Sequence, residues 1–172
     1  MNCLILAAGP SRNKVDFSLY KDWTIVTINY PCEHANILVF CDGAVKKNAI
    51  NFNGEVITTS EIGIKRPATK YMRGHDYRKE PPFMVGRSTT IFALQIFLYR
   101  GYTNIHIAGL DMGEGIRFYE DKSTLKRRNA FKLEADCWMR AVKMMSQEDR
   151  DKVTLLAPNP WPFASYFKMI HE

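Results

Sequence analysis

The hydrophobic residues of this chain fall into short, nearly continuous runs that are separated by polar turns. Runs of this kind, rich in Val, Ile and Leu, are typical of strands covered on both faces in a parallel sheet. The sequence therefore predicts six strands. They are Cys3–Ala8, Thr24–Ile28, Ile37–Phe40, Val56–Thr59, Ile105–Ala108 and Val153–Leu156.

Helical patterns alternate with these runs, and each begins at a residue type that suits a helix start, such as Ser, Asp or Pro. The patterns cover Asp42 to about Ile50, Ser88 or Thr89 to Arg100, Ser123 to about Met145, and a short stretch from Trp161-Pro162. Alternating strands and helices predict an α/β fold: a single doubly wound, Rossmann-like sheet that is mainly parallel and flanked by helices.

Residues 60–86 interrupt the alternation, since they are basic, rich in Pro and Tyr, and only weakly periodic. A connection this long in a compact domain is usually functional or mobile, so we expect a long basic loop at about 60–86. The length of 172 residues predicts one domain that spans 1–172.

The chain carries 24 Lys and Arg against 18 Asp and Glu, a net charge of +6. This charge favours an anionic partner, such as a nucleotide, a phosphate or nucleic acid, although it also suits a moderately basic soluble protein. Several basic residues are candidates for a nucleic-acid surface, or else are solvated surface residues. They are Lys46, Lys47, Lys65, Arg66, Arg73, Arg78, Lys79 and the run Lys126–Arg128.

The four cysteines form no CxxC pair and no ligand spacing with the histidines, so we expect reduced thiols and no zinc site. The first apolar run has no basic segment before it and breaks at Gly9-Pro10, which does not fit a signal peptide. No apolar run approaches the ~20 residues that span a bilayer. We therefore expect a cytoplasmic protein without a membrane span.

Small and polar residues follow the predicted strands. In an open parallel sheet, ligands bind outside the carboxyl ends of the strands, so these residues predict one shared crevice. Each also has an ordinary interpretation as a turn residue or a helix cap. The residues are Gly9, Pro10 and Ser11 after the first strand, Asn29 after the second, Asp42 after the third, and Gly109 and Asp111 after the fifth.

The apolar helix that ends near Arg100 begins with Arg87, Ser88, Thr89 and Thr90. Hydroxyls and free backbone N–H groups at a helix start form an anion site, and an arginine adds positive charge. Simple capping explains one hydroxyl, whereas three hydroxyls and an arginine favour binding of a phosphate or a carboxylate.

Catalysis would need a group that transfers protons near this crevice. His75 is one candidate and is alternatively a solvated loop histidine, whereas His106, inside a predicted strand, is expected in the core. Further candidates are Tyr71, Tyr77 and Tyr119. The GxGxxG and GxxxxGKS/T fingerprints of common nucleotide sites are both absent from the sequence.

The order of these motifs resembles that of the bacterial sialyltransferases that use CMP-sialic acid. The segments that carry the resemblance are LILAAGPS, TIN, RSTT, RGYTNIHIAGLD and VTLLAPNPWPFASYF. The likeness extends to wider relatives, among them archaeal 6-hydroxymethylpterin pyrophosphokinases and flagellin-modifying glycosyltransferases. It runs from residue 2 to about residue 168 and is weak at 43–80 and 112–130.

The resemblance implies a nucleotide-binding domain whose substrate is a CMP- or UDP-linked sugar, with no further cofactor and no essential metal. It implies that Gly9–Ser11 approach the phosphate and ribose, and that Asn29 matches an asparagine of the family. Asp42 stands where the sialyltransferases keep an asparagine. The remaining implied nucleotide contacts are Ser88–Thr90 with Arg87 at the donor, and Gly109 with Asp111 at the base and ribose.

The sialyltransferases place a histidine base between the strand that ends in Gly-Ile-Asp and the long helix that follows. Residues 112–131 contain no histidine in this chain. The base is therefore sought among His75, Asp111, Glu120 and acceptor-side groups, while Tyr119 and Arg87 would stabilise the leaving phosphate.

The first functional hypothesis is a compact, phage-type glycosyltransferase that moves a sugar from a nucleotide to a glycan or to nucleic acid. The second is a magnesium-dependent pyrophosphokinase or phosphotransferase with Asp42 and Asp111 on the metal. The third is a non-catalytic nucleotide-binding module. A homo-oligomer is a further expectation, since Trp161, Phe163 and Phe167 suit either docking into the core or a dimer contact.

Overall fold

Ten strands organise the part of the chain described by this computed structural model, which comprises residues 1–111 and 125–170. They are β1 (Asn2–Leu6), β2 (Thr24–Ile28), β3 (Ile37–Phe40), β4 (Glu55–Thr59), β5 (Thr69–Tyr71), β6 (Arg73–Gly74), β7 (Phe83–Met84), β8 (Asn104–Ala108), β9 (Val153–Leu155) and β10 (Lys168–Met169). Eight form one parallel sheet in the order β10-β9-β8-β1-β2-β3-β4-β5, while β6 pairs with β7. The predicted α/β class and all six predicted strands are confirmed.

Helices connect the strands and cover both faces of the sheet. They are α1 (Thr89–Tyr99), α2 (Leu125–Met144), α3 (Gln147–Asp151) and the 3₁₀ helices Pro10–Lys14, Phe17–Tyr20, Gly43–Ala49 and Pro162–Tyr166. The four predicted helices are present, the first and last of them as 3₁₀ helices. The predicted start of the long helix at Ser123 lies outside the described residues.

The direction in which the sheet grows reverses at β1. From β1 the chain adds β2 to β5 on one side, and it later adds β8, β9 and β10 on the other side. Parallel pairing, such as Ile5 opposite both Val26 and Ile107, brings the carboxyl ends of the strands to one edge. An open α/β sheet binds ligands at such a reversal, outside the carboxyl ends.

The core lies on both faces of the sheet, because successive side chains of a strand point to opposite sides. On one face, Ile5 and Val39 pack with α1 and α2, whose Phe92 and Trp138 are fully buried. On the other face, Leu4 packs with the aromatic residues that follow β1. The sheet is therefore the middle layer, with α1, α2 and the 3₁₀ helix Pro162–Tyr166 on one side and the 3₁₀ helices Phe17–Tyr20 and Gly43–Ala49 on the other.

The C-terminal aromatic residues dock into this core. The Phe163 ring stacks on Trp138 with centroids 5.3 Å apart, and Phe167 meets the same indole edge-on at 6.1 Å. Trp161 is partly buried and packs against the same cluster. The sequence leaves two interpretations open for Trp161, Phe163 and Phe167, and the structure shows these residues docked against the core.

Residues 60–86 do not form one plain loop, since they contain β5, β6 and β7. These strands have only two or three residues, which is too few to produce a periodic pattern. The buried amide of Gln95 holds the segment against α1. Its Oε1 accepts hydrogen bonds from Arg78 N and Met84 N, both at 3.1 Å, and its Nε2 donates to Met84 O at 2.9 Å.

Two of the basic residues proposed for a nucleic-acid surface have partners inside the fold. Arg66 donates to three backbone carbonyls, among them that of Gly54 at 2.9 Å. Lys79 Nζ lies 3.3 Å from Asp149 Oδ2, and Asp149 is almost fully buried. The Arg66 guanidinium is therefore committed to the fold, whereas the Lys79 side chain is 64% exposed beside its partner.

The cysteines are free thiols, with Cys3 and Cys137 buried and Cys32 and Cys41 partly buried. This agrees with the prediction that they are core or near-core residues rather than a disulfide framework. Within the described ranges, no helix combines the length and the apolar character needed to cross a membrane.

Candidate functional site

The carboxyl ends of β1 and β8 are joined by hydrogen bonds around Asp111. Ser11 donates to both carboxylate oxygens of Asp111, from its backbone N at 2.9 Å and from its Oγ at 2.6 Å. The same Oγ accepts from Gly109 N at 2.8 Å, and Gly9 N donates to Gly109 O at 2.6 Å. The structure thus brings four of the predicted site residues together and uses them to fix two strand ends.

Both glycines of this junction are required by close packing. A Cβ on Gly9 would lie 2.6 Å from Asp111 Oδ1 and 2.7 Å from Gly109 O. Gly109 has a φ of 76°, and a Cβ there would lie 2.8 Å from Ala7 O. The close approach that sequence analysis assigns to a ligand is therefore made by the neighbouring strand. Pro10 occupies the first turn of the following 3₁₀ helix.

Asn29 ends β2 in the left-handed conformation, with a φ of 64°. Its backbone N donates to Val39 O at 2.9 Å, and its O accepts from Asn48 Nδ2 at 2.8 Å. The side-chain Oδ1 is buried and has no hydrogen-bond partner in the described part of the chain. Leaving a buried polar atom unpaired costs about 1–3 kcal/mol, so this amide is a candidate for pairing with a ligand.

The side chain of Arg12 stabilises the same turn, although sequence analysis does not name Arg12 as a site residue. It is 6% exposed and donates to Thr27 Oγ1 at 2.8 Å and to Tyr30 O at 3.3 Å. Burial lowers the pKa of Arg12, and the neighbouring Cys32 thiol acts in the opposite direction. An arginine in a polar turn looks like an ordinary surface residue, so the sequence carries no signal of its burial.

The start of α1 presents a second group of polar side chains. Ser88 is 1% exposed, and its Oγ makes neither a cap hydrogen bond nor any other bond with the described residues. Thr89 and Thr90 follow it as the first helical residues. The first backbone N–H groups of an α-helix have no partner within the helix. Ser88 thus holds the predicted cap position without making the cap bond.

A cavity of ≈ 410 Å³ lies between these groups, outside the carboxyl ends of β2 and β3. Asn29, Asp42 and Ser88 line it together with Arg73 and Arg87. Asn29 and Arg87 also line a narrow space of ≈ 40 Å³ that continues towards the ends of β1 and β8. We call the larger space the α1 cavity. Its two arginines and the helix start make it suited to an anion.

Asp42 and Cys41 have ordinary partners at this cavity. Asp42 Oδ1 accepts from Ala44 N at 2.8 Å and caps the 3₁₀ helix that follows, as one of its two interpretations predicts. Burial raises the pKa of Cys41 to about 12, against the opposing effect of its hydrogen bond with Thr89. A thiol with this pKa stays protonated at neutral pH, so Cys41 is not an activated nucleophile.

A second cavity, of ≈ 210 Å³, lies on the opposite face of the same edge. Its walls include Ser11 and Asp111 from the strand junction, Lys14 and Tyr20 from the segment after β1, and Pro158 after β9. The β1–β8 junction therefore stands between two spaces, and Asp111 is the carboxylate that borders this second cavity at the junction.

Asp42 and Asp111 are too far apart to share one metal ion. They follow β3 and β8, which are three strand positions apart in the sheet, or roughly 14 Å at the usual strand spacing. Among the residues that the structure describes, no group of three or more His, Cys, Asp or Glu side chains could hold a metal ion.

The other candidates for proton transfer lie away from the α1 cavity. The Tyr71 hydroxyl accepts from Arg100 Nε at 3.4 Å, at the far end of α1. Tyr77 is buried, and burial raises its pKa. His75 is exposed and lines neither cavity. Tyr119 and Glu120 lie outside the described residues.

His106 is only partly buried, beside the core layer that Tyr20 belongs to, so the predicted place in the core is met in part. Its Nδ1 lies 3.0 Å from the Tyr20 hydroxyl, and its ring packs against Trp23 with centroids 4.6 Å apart. Burial lowers the pKa of His106, and its contacts with Tyr20 and Trp23 suit a structural role.

Comparisons of the chain with protein-family models, with curated proteins and with solved structures find no match in any of the three. A fold does not by itself define an activity. The function is therefore argued from the α1 cavity and from the strand junction beside it.

Proposed function

We propose that this protein binds a nucleotide sugar across the carboxyl edge of its sheet and acts as a glycosyltransferase of the sialyltransferase type. The observation that carries the proposal is a pair of buried polar atoms without a described partner, Ser88 Oγ and Asn29 Oδ1, on two residues that line the α1 cavity. A polar ligand that bonds to both would remove a cost that the free protein bears.

The charge of the cavity points to the phosphate end of such a ligand. Arg73 and Arg87 line the cavity, and the positive end of α1 opens into it. Helix starts of this kind bind phosphate through backbone N–H groups and the helix dipole. Ser88, Thr89 and Thr90 add hydroxyl groups at the same place. The phosphate of the donor is therefore assigned to the start of α1.

The nucleoside then extends from the phosphate towards the β1–β8 junction. This direction follows the narrow space that Ala7, Ala8 and Leu110 line together with Thr90. It is also the position where the strand order reverses, at which doubly wound sheets bind nucleotides. Asn29 lies between the two spaces and is assigned to the ribose or the base.

In the transfer step, the acceptor oxygen bonds to the anomeric carbon of the sugar. The bond from that carbon to the phosphate oxygen breaks, and its electron pair stays on the phosphate, where Arg87 and the start of α1 stabilise the added charge. The proton of the acceptor passes to a base on the acceptor side, because Asp111 borders the second cavity across the junction and both of its carboxylate oxygens accept hydrogen bonds from Ser11.

Thermal unfolding with a panel of nucleotides tests this proposal. The panel is CMP, CDP, UDP, GDP, ATP and CMP-sialic acid, each with magnesium or with EDTA. A ligand at about 100 times its dissociation constant adds about 2.7 kcal/mol to the stability of the folded state. Stabilisation by cytidine or uridine nucleotides in EDTA is the expected result.

Two other outcomes separate the competing hypotheses. Stabilisation by ATP or GDP alone, and only with magnesium, would replace the proposal with a phosphotransferase. Tight binding of a nucleotide sugar without release of its nucleotide in the presence of acceptors would identify a non-catalytic binding module. No response to any nucleotide would leave a doubly wound fold without this function.

A further inference from the structure

The α1 cavity is lined by two arginine side chains in addition to the start of a helix. Arg87 immediately precedes the cap residue of α1, so it lies beside the helix start. Arg73 comes from a different element, the short strand β6, and lines the same cavity. Neither guanidinium makes a hydrogen bond or an ion pair with the residues that the structure describes.

The pairing of β6 with β7 holds Arg73 in this position. Phe83 N donates to Met72 O at 3.0 Å, and Val85 N donates to Gly74 O at 3.4 Å, so both neighbours of Arg73 are tied to residues 83–85. The chain then turns at Gly86, which has a φ of 51°, and enters α1. One small unit therefore carries Arg73 and leads directly into the start of α1.

The acidic groups near Arg73 do not cancel this charge. Asp42 lines the cavity, but its Oδ1 is occupied by the Ala44 N–H. Glu61 is exposed. Hydrogen bonds from its own backbone N–H and from Thr59 lower its pKa most, and the positive charge of Arg73 lowers it to a smaller extent. Two guanidinium groups and the positive end of a helix thus face one carboxylate inside the cavity.

We infer that the α1 cavity binds two linked phosphoryl groups, one at the start of α1 with Arg87 and one at Arg73, so that the donor is a nucleoside diphosphate sugar, such as a UDP-linked sugar, rather than the CMP-linked sugar of the sialyltransferases. This inference rests on the proposed function for the sugar and the nucleoside, whereas the recognition of a diphosphate rests on the two arginines alone. Arg73 is then the residue that distinguishes diphosphates from monophosphates.

Calorimetric titrations of paired ligands test the inference. The pairs are UDP with UMP, CDP with CMP, and inorganic pyrophosphate with phosphate, all in EDTA. Because a charge-assisted hydrogen bond contributes about 1.5–3 kcal/mol, the diphosphate of each pair that binds should bind at least about tenfold more tightly. The variant Arg73→Gln should reduce that ratio to about twofold or less and leave the monophosphate affinity nearly unchanged.

Two variants serve as controls. Arg87→Gln should weaken the monophosphate and the diphosphate together, because it lies at the helix start that both ligands use. Arg78→Gln removes the same charge from an exposed position in the same basic segment, outside the cavities described at this edge, and should change neither affinity. Thermal unfolding of each variant shows whether the fold is retained.

The outcomes separate this inference from the proposed function. Equal affinities of UMP and UDP, or a ratio that Arg73→Gln does not change, would overturn the diphosphate inference while leaving nucleotide binding intact. Selective binding of pyrophosphate that depends on Arg73, with no binding of any nucleotide, would support the inference and overturn the proposed function. No binding of any of these anions would overturn both.

Discussion

The substitution Ser88→Ala tests directly whether the cap position of α1 is reserved for a ligand. At an ordinary N-cap, replacing serine by alanine costs about 0.5–2 kcal/mol, because the side chain accepts a hydrogen bond from the first turn. The Ser88 side chain makes no such bond, and its Oγ is buried without a partner in the described ranges.

The expected effect of Ser88→Ala on the free protein therefore has the opposite sign. A buried hydroxyl without a partner costs about 1–3 kcal/mol, and removing it relieves that cost. Loss of the packing contacts of one oxygen atom offsets a fraction of this gain. We expect a net stabilisation of about 1 kcal/mol, which corresponds to a rise in Tm of about 2–4 °C for a chain of this size.

The assay is denaturant and thermal unfolding of ligand-free protein, with Ser146→Ala as the matched control. Ser146 is the N-cap of α3, and its Oγ accepts a hydrogen bond from Asp149 N at 3.1 Å. Ser146→Ala removes a working cap and should lower stability by about 1 kcal/mol. The same substitution at two caps is thus expected to have opposite effects.

Addition of a nucleotide should reverse the order of stability of the wild-type protein and the Ser88→Ala variant. The wild-type protein gains a hydrogen bond from its hydroxyl to the ligand, so it should be stabilised by the nucleotide more than the Ser88→Ala variant. The reasoning is refuted if Ser88→Ala destabilises the free protein as much as Ser146→Ala does, since the hydroxyl would then serve as an ordinary cap.

Three further predictions concern the frame that positions the site. Gly109→Ala should lower the free energy of unfolding by at least about 2 kcal/mol, because Gly109 has a positive φ and a close backbone contact. Gly43 has open space around it, so Gly43→Ala should change that free energy by less than about 1 kcal/mol. Urea unfolding of the two variants compares them. Arg100 lowers the pKa of Glu55 below its usual 4.5. The ion pair therefore contributes stability above about pH 4.5, and this contribution is lost as the pH falls further. Glu55→Gln should make the free energy of unfolding less dependent on pH below about 4.5. Gln95→Leu should leave Met84 N–H unpaired and speed hydrogen exchange there, and unchanged exchange would contradict the role assigned to Gln95.

Sequence patterns that extend over several residues predict the strands and helices of this fold well. The six apolar runs and the Asp42 cap are visible because strand and helix signals extend over several residues. The crevice at the strand ends follows from the rule for open parallel sheets, and the contact between Ser11 and Asp111 confirms that the two strand ends meet. The assignment of particular residues to a nucleotide stays a prediction.

Short-range geometry and burial could not be predicted in the same way. The strand that carries Arg73 has only two residues, which is too short to show a periodic pattern. In the sequence, Arg73 cannot be told apart from the other basic residues around it. Arg12 has no sequence signal of burial, since arginines are usually exposed. The close contact of Gly9 with the neighbouring strand depends on residues that lie 100 positions away in the chain, such as Gly109. Such roles appear only when tertiary packing is known.

The most direct test of the account is to map nucleotide binding by NMR. The amide signals of a protein of 172 residues can be followed during titration with UDP and CMP in EDTA. The account predicts that the largest shifts occur at Asn29, at Gly86 and at residues 88–91, where the α1 cavity meets the start of α1. Shifts confined to residues 14–20 at the opposite cavity, or no shifts with either nucleotide, would contradict it.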